Sequence, residues 1–372
     1  MDLHASSLVI DAYGFSPRAA IEGDKICAAI EGGASQAELQ DMKEDMMMTR
    51  CVSDPVERAE YMSAWEAAGV TCVFQNAGEE GQDIQRLVKR LAHFTYVTDM
   101  MRDFVEKAAS PDDIIASRKQ NKHCLYLSAN GVPIPQDWIS VEEELRYIRV
   151  FFHLGIRMMH LTYNRRNMIG DGCAETANGG LSDFGRAAIA EMNRVGVIVD
   201  VAHSGWQTSL EAAKISRRPV VASHTACNSL HKHIRCKPDE VIQAIADTGG
   251  YVGTCCIPSF LGGGIDALLT HIDYIVENFG PEHVAIGTDN GYTSRSMATE
   301  SKKIQKWPKA RTPWESLWPP GSLLDKPDEM LSMEWTNWPM FTVGLVQRGY
   351  SDEDIQKIIG GNVLSVARVV LS

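Results

Sequence analysis

Eight short segments, each apolar at almost every position, recur along the chain at 7–12, 70–75, 124–129, 157–162, 197–202, 219–223, 251–255 and 283–287. Stretches with helical spacing separate them. A strand that is apolar on both faces is covered on both, and crossover helices cover a parallel sheet in that way. Eight such units close on themselves, so the alternation predicts one (β/α)8 TIM barrel over residues 1–372 rather than an open doubly wound sheet. Helix ends agree. Asp54 before Pro55 reads as an N-cap with Gly69 as the stop, Ser140 with Glu143 as a capping box, and Pro238 with Asp239 and Glu240 as a helix start. Ile265, Leu268, Ile272, Ile275 and Phe279 form one buried helical stripe.

Two stretches exceed the minimal barrel: 16–53, rich in charge and methionine, and 290–339, with Trp307, Trp314, Trp318, Trp335 and Trp338. Both leave the C-terminal face and are expected as long loops that cover the mouth or build a subunit contact. For the tryptophans the plain expectation is packing beneath a loop.

With 36 basic against 48 acidic residues the formal charge is -12, and no run of Lys or Arg forms a stripe. Nucleic acid and anionic membrane surfaces are therefore excluded as partners. The opening residues, MDLHASSLVIDAYG, have neither the basic nor the apolar region of an export signal, and no run reaches the length of a membrane span. Nine cysteines without a CxxC spacing are expected as reduced thiols in a cytoplasmic protein.

The chemistry lies at the strand exits. In GVIVDVAHSGWQTSLEAAKISRRPVVASH, residues 196–224, a strand, a turn, a helix and a second strand follow one another, and the two strands finish on His203 and His224. HVAIGTD repeats the form and finishes on Asp289. A single histidine at a strand end is ordinarily a hydrogen-bonded structural residue. Two imidazoles and a carboxylate at the mouth of one barrel make a metal-site constellation. Asp11 and Asp200, inside strands, are expected to orient the histidines or to be plain buried polar groups. His123, His153 and His160 lie before or within their elements and are expected to be structural, and Cys255 and Cys256 to be packing residues.

The segments GVIVDVAHSG, PVVASHTACNSLHKHIRCKPDEV, GGLSDFGRAAIAEMNRVG, AIGTDNG and GLVQRGYSDEDIQKIIGGN resemble the renal (membrane) dipeptidase family of zinc peptidases, a branch of the amidohydrolase-like barrels. LTYNRRNMIGDGC is similar to its bacterial members. The resemblance implies a barrel that holds two zinc ions bridged by a hydroxide, a dipeptide substrate and a homodimer. It also implies that His203 and His224 bind one metal, that Asp289 binds the other and handles protons, and that Arg235 pairs with the substrate carboxylate.

The chain departs from the family pattern at the first strand, where the His and Asp ligands fall on Tyr13 and Phe15. The bridging glutamate falls on Ser128, and a substrate-contacting histidine on Tyr163. One metal would retain a single carboxylate, too few donors to hold it, whereas the other keeps two imidazoles. The expectation is thus a hydrolase with at most one zinc ion at His203 and His224. Asp289 acts as base, Tyr13 and Tyr163 donate hydrogen bonds to the substrate, and Arg235 holds its carboxylate. Two alternatives stand beside it. One is metal-independent chemistry on another small molecule, including a cation gripped by the aromatic faces of Tyr13, Phe15 and Tyr163; the other is a non-catalytic ligand-binding barrel.

Overall fold

A computed structural model of the chain describes residues 2–78, 83–304, 316–322 and 327–371. The eight expected segments become parallel strands: β1 (Ile10–Gly14), β2 (Cys72–Asn76), β3 (His123–Ala129), β4 (Ile156–His160), β5 (Ile198–Asp200), β6 (Val220–Thr225), β7 (Val252–Thr254) and β8 (Val284–Ile286). They pair in chain order. Past the ends of β1 and β8 the ring closes, with Asp289 N donating to Tyr13 O at 2.9 Å and Phe15 N to Asn290 O at 3.0 Å. The result is a (β/α)8 barrel of the amidohydrolase-like type. A further strand, Val105–Lys107, pairs with the start of β3. Its three residues, of which only Val105 is fully covered, are too short to register as a pattern.

A buried carboxylate reinforces the seam. Asp11 accepts from Thr288 N at 2.9 Å, from Thr288 Oγ1 at 2.6 Å and from Trp335 Nε1 at 3.0 Å. Gly14 makes room for this knot, since a Cβ there would lie 2.5 Å from Asp11 Oδ2. Asp11 thus ties the barrel shut and does not orient the histidines.

Alternation along the strands sorts the layers. Ile10, Phe74, Tyr126, Met158, Ile198 and Val221 join one buried cluster, while Val73, Leu125, Met159, Val199 and Val220 join the cluster shared with the helices. Side chains two apart share a face, so His160 and Asp200 continue the inner rows of Met158 and Ile198. Their Cα atoms are partners in the β4–β5 ladder.

Residues 16–53, expected as a loop, contain helices at Gly23–Glu31 and Gln36–Ser53. The second begins with a capping box in which Ser35 accepts from Glu38 N and the Glu38 carboxylate accepts from Ser35 N. Its Leu39 and Met46 pack with Ile21 and Ile26, and this local burial overrides the charged composition that suggested a loop. Glu44 fastens the helix to Ile84–Met100 through Arg86 at 2.7 Å and Arg90 at 3.0 Å.

Burial works against ionising Glu44, but Arg90, Gln40 and Arg86 outweigh it and hold its carboxyl down at about 2. Its folded value lies below the ordinary 4.5. The stabilisation is therefore complete above that value and is lost as pH falls through about 2. Glu44→Gln is expected to cost about 3 kcal/mol at pH 7, with the deficit shrinking in acid. Denaturant unfolding at pH 7 and pH 3 measures it, and equal stability of the two proteins at pH 7 would contradict the assignment.

In the second long stretch, Trp335 and Trp338 are buried at the base of the helix Trp338–Gln347, as packing residues. Trp318 instead lines the cavity described below. Trp307 and Trp314 lie outside the described residues. Among the described residues no helix is long and apolar enough to cross a membrane.

Candidate active site

The β5 strand stops at Asp200, so His203 stands three residues beyond it in the turn before the helix Trp206–Ile215. His224 remains within β6. Both are buried, and their Nε2 atoms approach to 2.9 Å. Each ring is also held from the other side. His203 Nδ1 lies 2.8 Å from Asn164 Oδ1, and His224 Nδ1 lies 2.8 Å from Ser223 Oγ. An amide oxygen can only accept, so His203 carries its proton on Nδ1 and turns a lone pair toward His224. Burial first, and then the nearby Arg235 guanidinium, push both imidazoles well below the ordinary histidine range, which keeps them neutral.

Beneath them lies a pair formed by His160, which the sequence reading set aside as structural, and Asp200, which it expected either to orient the histidines or to be a plain buried polar group. His160 Nε2 is 2.7 Å from Asp200 Oδ2, close but without the alignment of a hydrogen bond, and His160 Nδ1 has no partner among the described residues. Asp200 Oδ1 accepts from Ala202 N at 2.9 Å and Ser223 N at 3.0 Å, so it also fixes the backbone that carries His224. Burial opposes ionisation of Asp200, yet the His160 ring and the bonds from Ser223 hold its carboxyl below the usual range. One donor atom each from His160, Asp200 and His224 falls within 4.8 Å of the others. The clue in the sequence was the inward row: β4 ends at His160 rather than at residue 162, which brings this histidine to the strand exit.

The positions of the missing ligands are filled. The Tyr13 ring stacks on His224, with centroids 4.0 Å apart, and its hydroxyl donates to Asn130 Oδ1. Tyr163 stacks on His203 at 4.1 Å and accepts from Trp318 Nε1 at 3.2 Å. Phe15 is covered by the Arg18 guanidinium, 4.4 Å from its ring centre. One face of each of these three rings is thus engaged within the chain, and all three rings also line the cavity described next. Ser128 Oγ turns back to Gln75 O at 3.0 Å, so the group that meets Tyr13 is Asn130, two residues farther along.

A cavity of about 420 Å3 opens over this centre, and its walls include Tyr13, Tyr163, His203, Asp289 and Trp318. Asp289 has a left-handed backbone, φ 53°, pinned by its N–H bond to Tyr13 O. Strain of this kind in a non-glycine residue is kept where the surroundings impose it, commonly at functional sites.

Arg235 is fully buried behind the wall, with Nη2 donating to His224 O at 2.9 Å. Phe260 and Trp318 lie 5.1 Å and 5.8 Å from its guanidinium. Its Nε and Nη1 have no acceptor among the described residues. Lys237, two residues on, is also buried and donates to Ser204 O at 2.6 Å. Cys255 and Cys256 are buried, and burial pushes the Cys255 thiol up to about 12, so neither serves as a nucleophile.

Similarity to known proteins follows this geometry. The profile of the membrane dipeptidase family (peptidase family M19) matches residues 2–307. Dipeptidase tcpJ of Claviceps purpurea is 25% identical over 282 residues, 74% of this chain and 57% of that protein. Dipeptidase verJ of Clonostachys rogersoniana is 28% identical over 228 residues, 59% of this chain and 50% of that protein. The chain thus spans about half the length of these curated relatives.

Among solved structures, an amidohydrolase from Pseudomonas aeruginosa superposes with a TM-score of 0.73 at 25% identity, covering 100% of this chain and 98% of the other. The probable dipeptidase PvdM from Pseudomonas aeruginosa has a TM-score of 0.69 at 19% identity, covers 100% of this chain and 97% of the other, and shares the fold. With histidines at the exits of β5 and β6, an aspartate after β8 and the family profile running through all of them, the chain belongs to the membrane dipeptidase family.

Proposed function

We propose that the chain hydrolyses a small amide, a dipeptide or dipeptide-like molecule with a free carboxylate, at a centre that takes one metal ion. The mixed imidazole and carboxylate donors suit zinc. The observation that carries this reading is the convergence of His203 and His224 Nε2 at 2.9 Å while both Nδ1 atoms are engaged elsewhere. A catalytic ion needs three protein donors and an open position. His203 and His224 give two, and the third comes from His160 or Asp200, whose donor atoms lie within 4.8 Å of that of His224 though they are not grouped with His203. A second ion does not fit, because a phenol ring covers His224 where the family's first-strand ligand would stand.

When bound, such an ion polarises the carbonyl and supplies a hydroxide near neutral pH. The chain's own groups do the rest. Arg235 Nε and Nη1 are donors awaiting an acceptor, and burying them unpaired costs about 1–3 kcal/mol each unless a carboxylate arrives. Phe260 and Trp318 keep water from that pair. The Tyr163 hydroxyl, polarised by the Trp318 N–H it accepts, donates to the developing oxyanion. Tyr13, anchored on Asn130, lines the same wall and orients the substrate beside it. Asp289 takes the proton of the attacking water and returns it to the leaving amine.

Elemental analysis and a dipeptide panel test the reading. Cleavage that stops with chelator and returns with zinc is expected. Turnover unaffected by metal removal would overturn the metal, and a metal-replete protein that cleaves no member of the panel would overturn the reaction. Nine free thiols support a reducing, cytoplasmic setting, and the family resemblance supports a homodimer, which light scattering after gel filtration measures.

A further inference from the structure

The cavity over His203 has a second end, lined by Arg18, Lys43, Glu44, Arg86 and Arg90. Arg18 stands out there. Its guanidinium stacks on Phe15, and its Nε is buried with no hydrogen-bond partner among the described residues. Its backbone is fixed rather than free. Arg18 N donates to Tyr292 O at 2.9 Å and Ser294 N donates to Arg18 O at 2.8 Å, so the residue is laced to the segment leaving β8. Burial, followed by the neighbouring Arg90, pushes its pKa down to about 10, with Asp289 opposing. Glu44 already engages Arg86 and Arg90, so Arg18 Nε is the buried donor without an acceptor among the described residues, and leaving it so is unfavourable until an anion joins it.

We propose that this end of the cavity is a carboxylate subsite built on Arg18, so that the acyl half of the substrate is itself acidic. The inference rests on the reading above. With the terminal carboxylate at Arg235 and the scissile bond at the histidines, the acyl half extends toward Arg18. The preferred substrate is then doubly anionic, a dipeptide-like molecule whose first residue carries an acidic side chain. Arg18 forms a charge-assisted pair with that side chain.

Calorimetric titration of the full-length protein with glutarate and with its monoamide tests this without turnover. The wild-type protein is expected to bind glutarate at least about tenfold more tightly than the monoamide. Arg18→Gln is expected to reduce that ratio to below about twofold while leaving monoamide affinity unchanged. Arg18→Lys keeps the charge without the fork and is expected to give an intermediate ratio, which serves if the glutamine variant does not fold. Arg235→Gln should weaken both ligands alike and leave the ratio intact. A wild-type ratio near one, a full ratio in Arg18→Gln, or no binding of either compound would overturn the subsite. Failure to cleave dipeptides with the ratio preserved would overturn the hydrolase reading alone.

Discussion

Changing His203 and His224 together to alanine is expected to lower the metal content from about one ion per chain to near zero and to reduce kcat/KM at least about a thousandfold. The two imidazoles are neutral, buried and prealigned, so removing both leaves only His160 and Asp200, too few donors to hold an ion. Each single variant should retain weak, exchangeable metal, because the His160–Asp200 pair still offers donors beneath. Mass spectrometry for metals on dialysed protein is the measurement. A wild-type chain that stays metal-free after growth in zinc-rich medium, or a double variant that keeps its ion, would refute the assignment.

The largest expected loss of stability falls at the barrel seam. Trp335 is buried edge-on against Trp65, with ring centroids 5.2 Å apart, while its indole N–H holds Asp11. Trp335→Ala is expected to cost about 4 kcal/mol, from the cavity left by the ring and the lost bond to a buried carboxylate. Trp335→Phe should cost about half of that, since the ring stays and only the donor goes. Denaturant unfolding distinguishes this from a lid. A residue that merely closed over the mouth would change KM and leave the midpoint where it was, and a loss under about 1 kcal/mol in the alanine variant would support that view instead.

Much of this architecture was legible in the residue order because covered strands announce themselves. Eight apolar runs separated by capped helices leave few closed arrangements, and the structure adopts the expected one. The pair at 203 and 224 was legible for the same reason, since each follows an apolar run at its exit. What escaped was set by register. His160 looked like a mid-strand residue because the run 157–162 continues past it, but the ladder places it level with Asp200. The partner of Tyr13 could not be read from the residue order either: Ser128 turns back to Gln75 O, and Asn130, just past the end of β3, meets the phenol. Arg235 was marked by the family resemblance as a carboxylate partner, but its complete burial, and that of Lys237 beside it, comes from tertiary packing that the residue order does not announce. Residues 16–53 read as a loop because the few apolar residues that form their core, Ile21, Ile26, Leu39 and Met46 with Ile304, are scattered among charged ones.

The Tyr13 ring that lies flat on His224 also says something about ancestry and return. A lost ligand can be restored by one codon only when the space it served stays open. Here an aromatic plate has taken that space, and its hydroxyl is anchored across the mouth on Asn130. Replacing Tyr13 by histidine would therefore still leave Ser128 at the position that the family resemblance gives to a bridging glutamate and a benzyl group at residue 15. Changes at residues 13, 15 and 128 together separate this chain from the two-ion donor set that the family resemblance implies, and the filled space means that no single one of them would restore it.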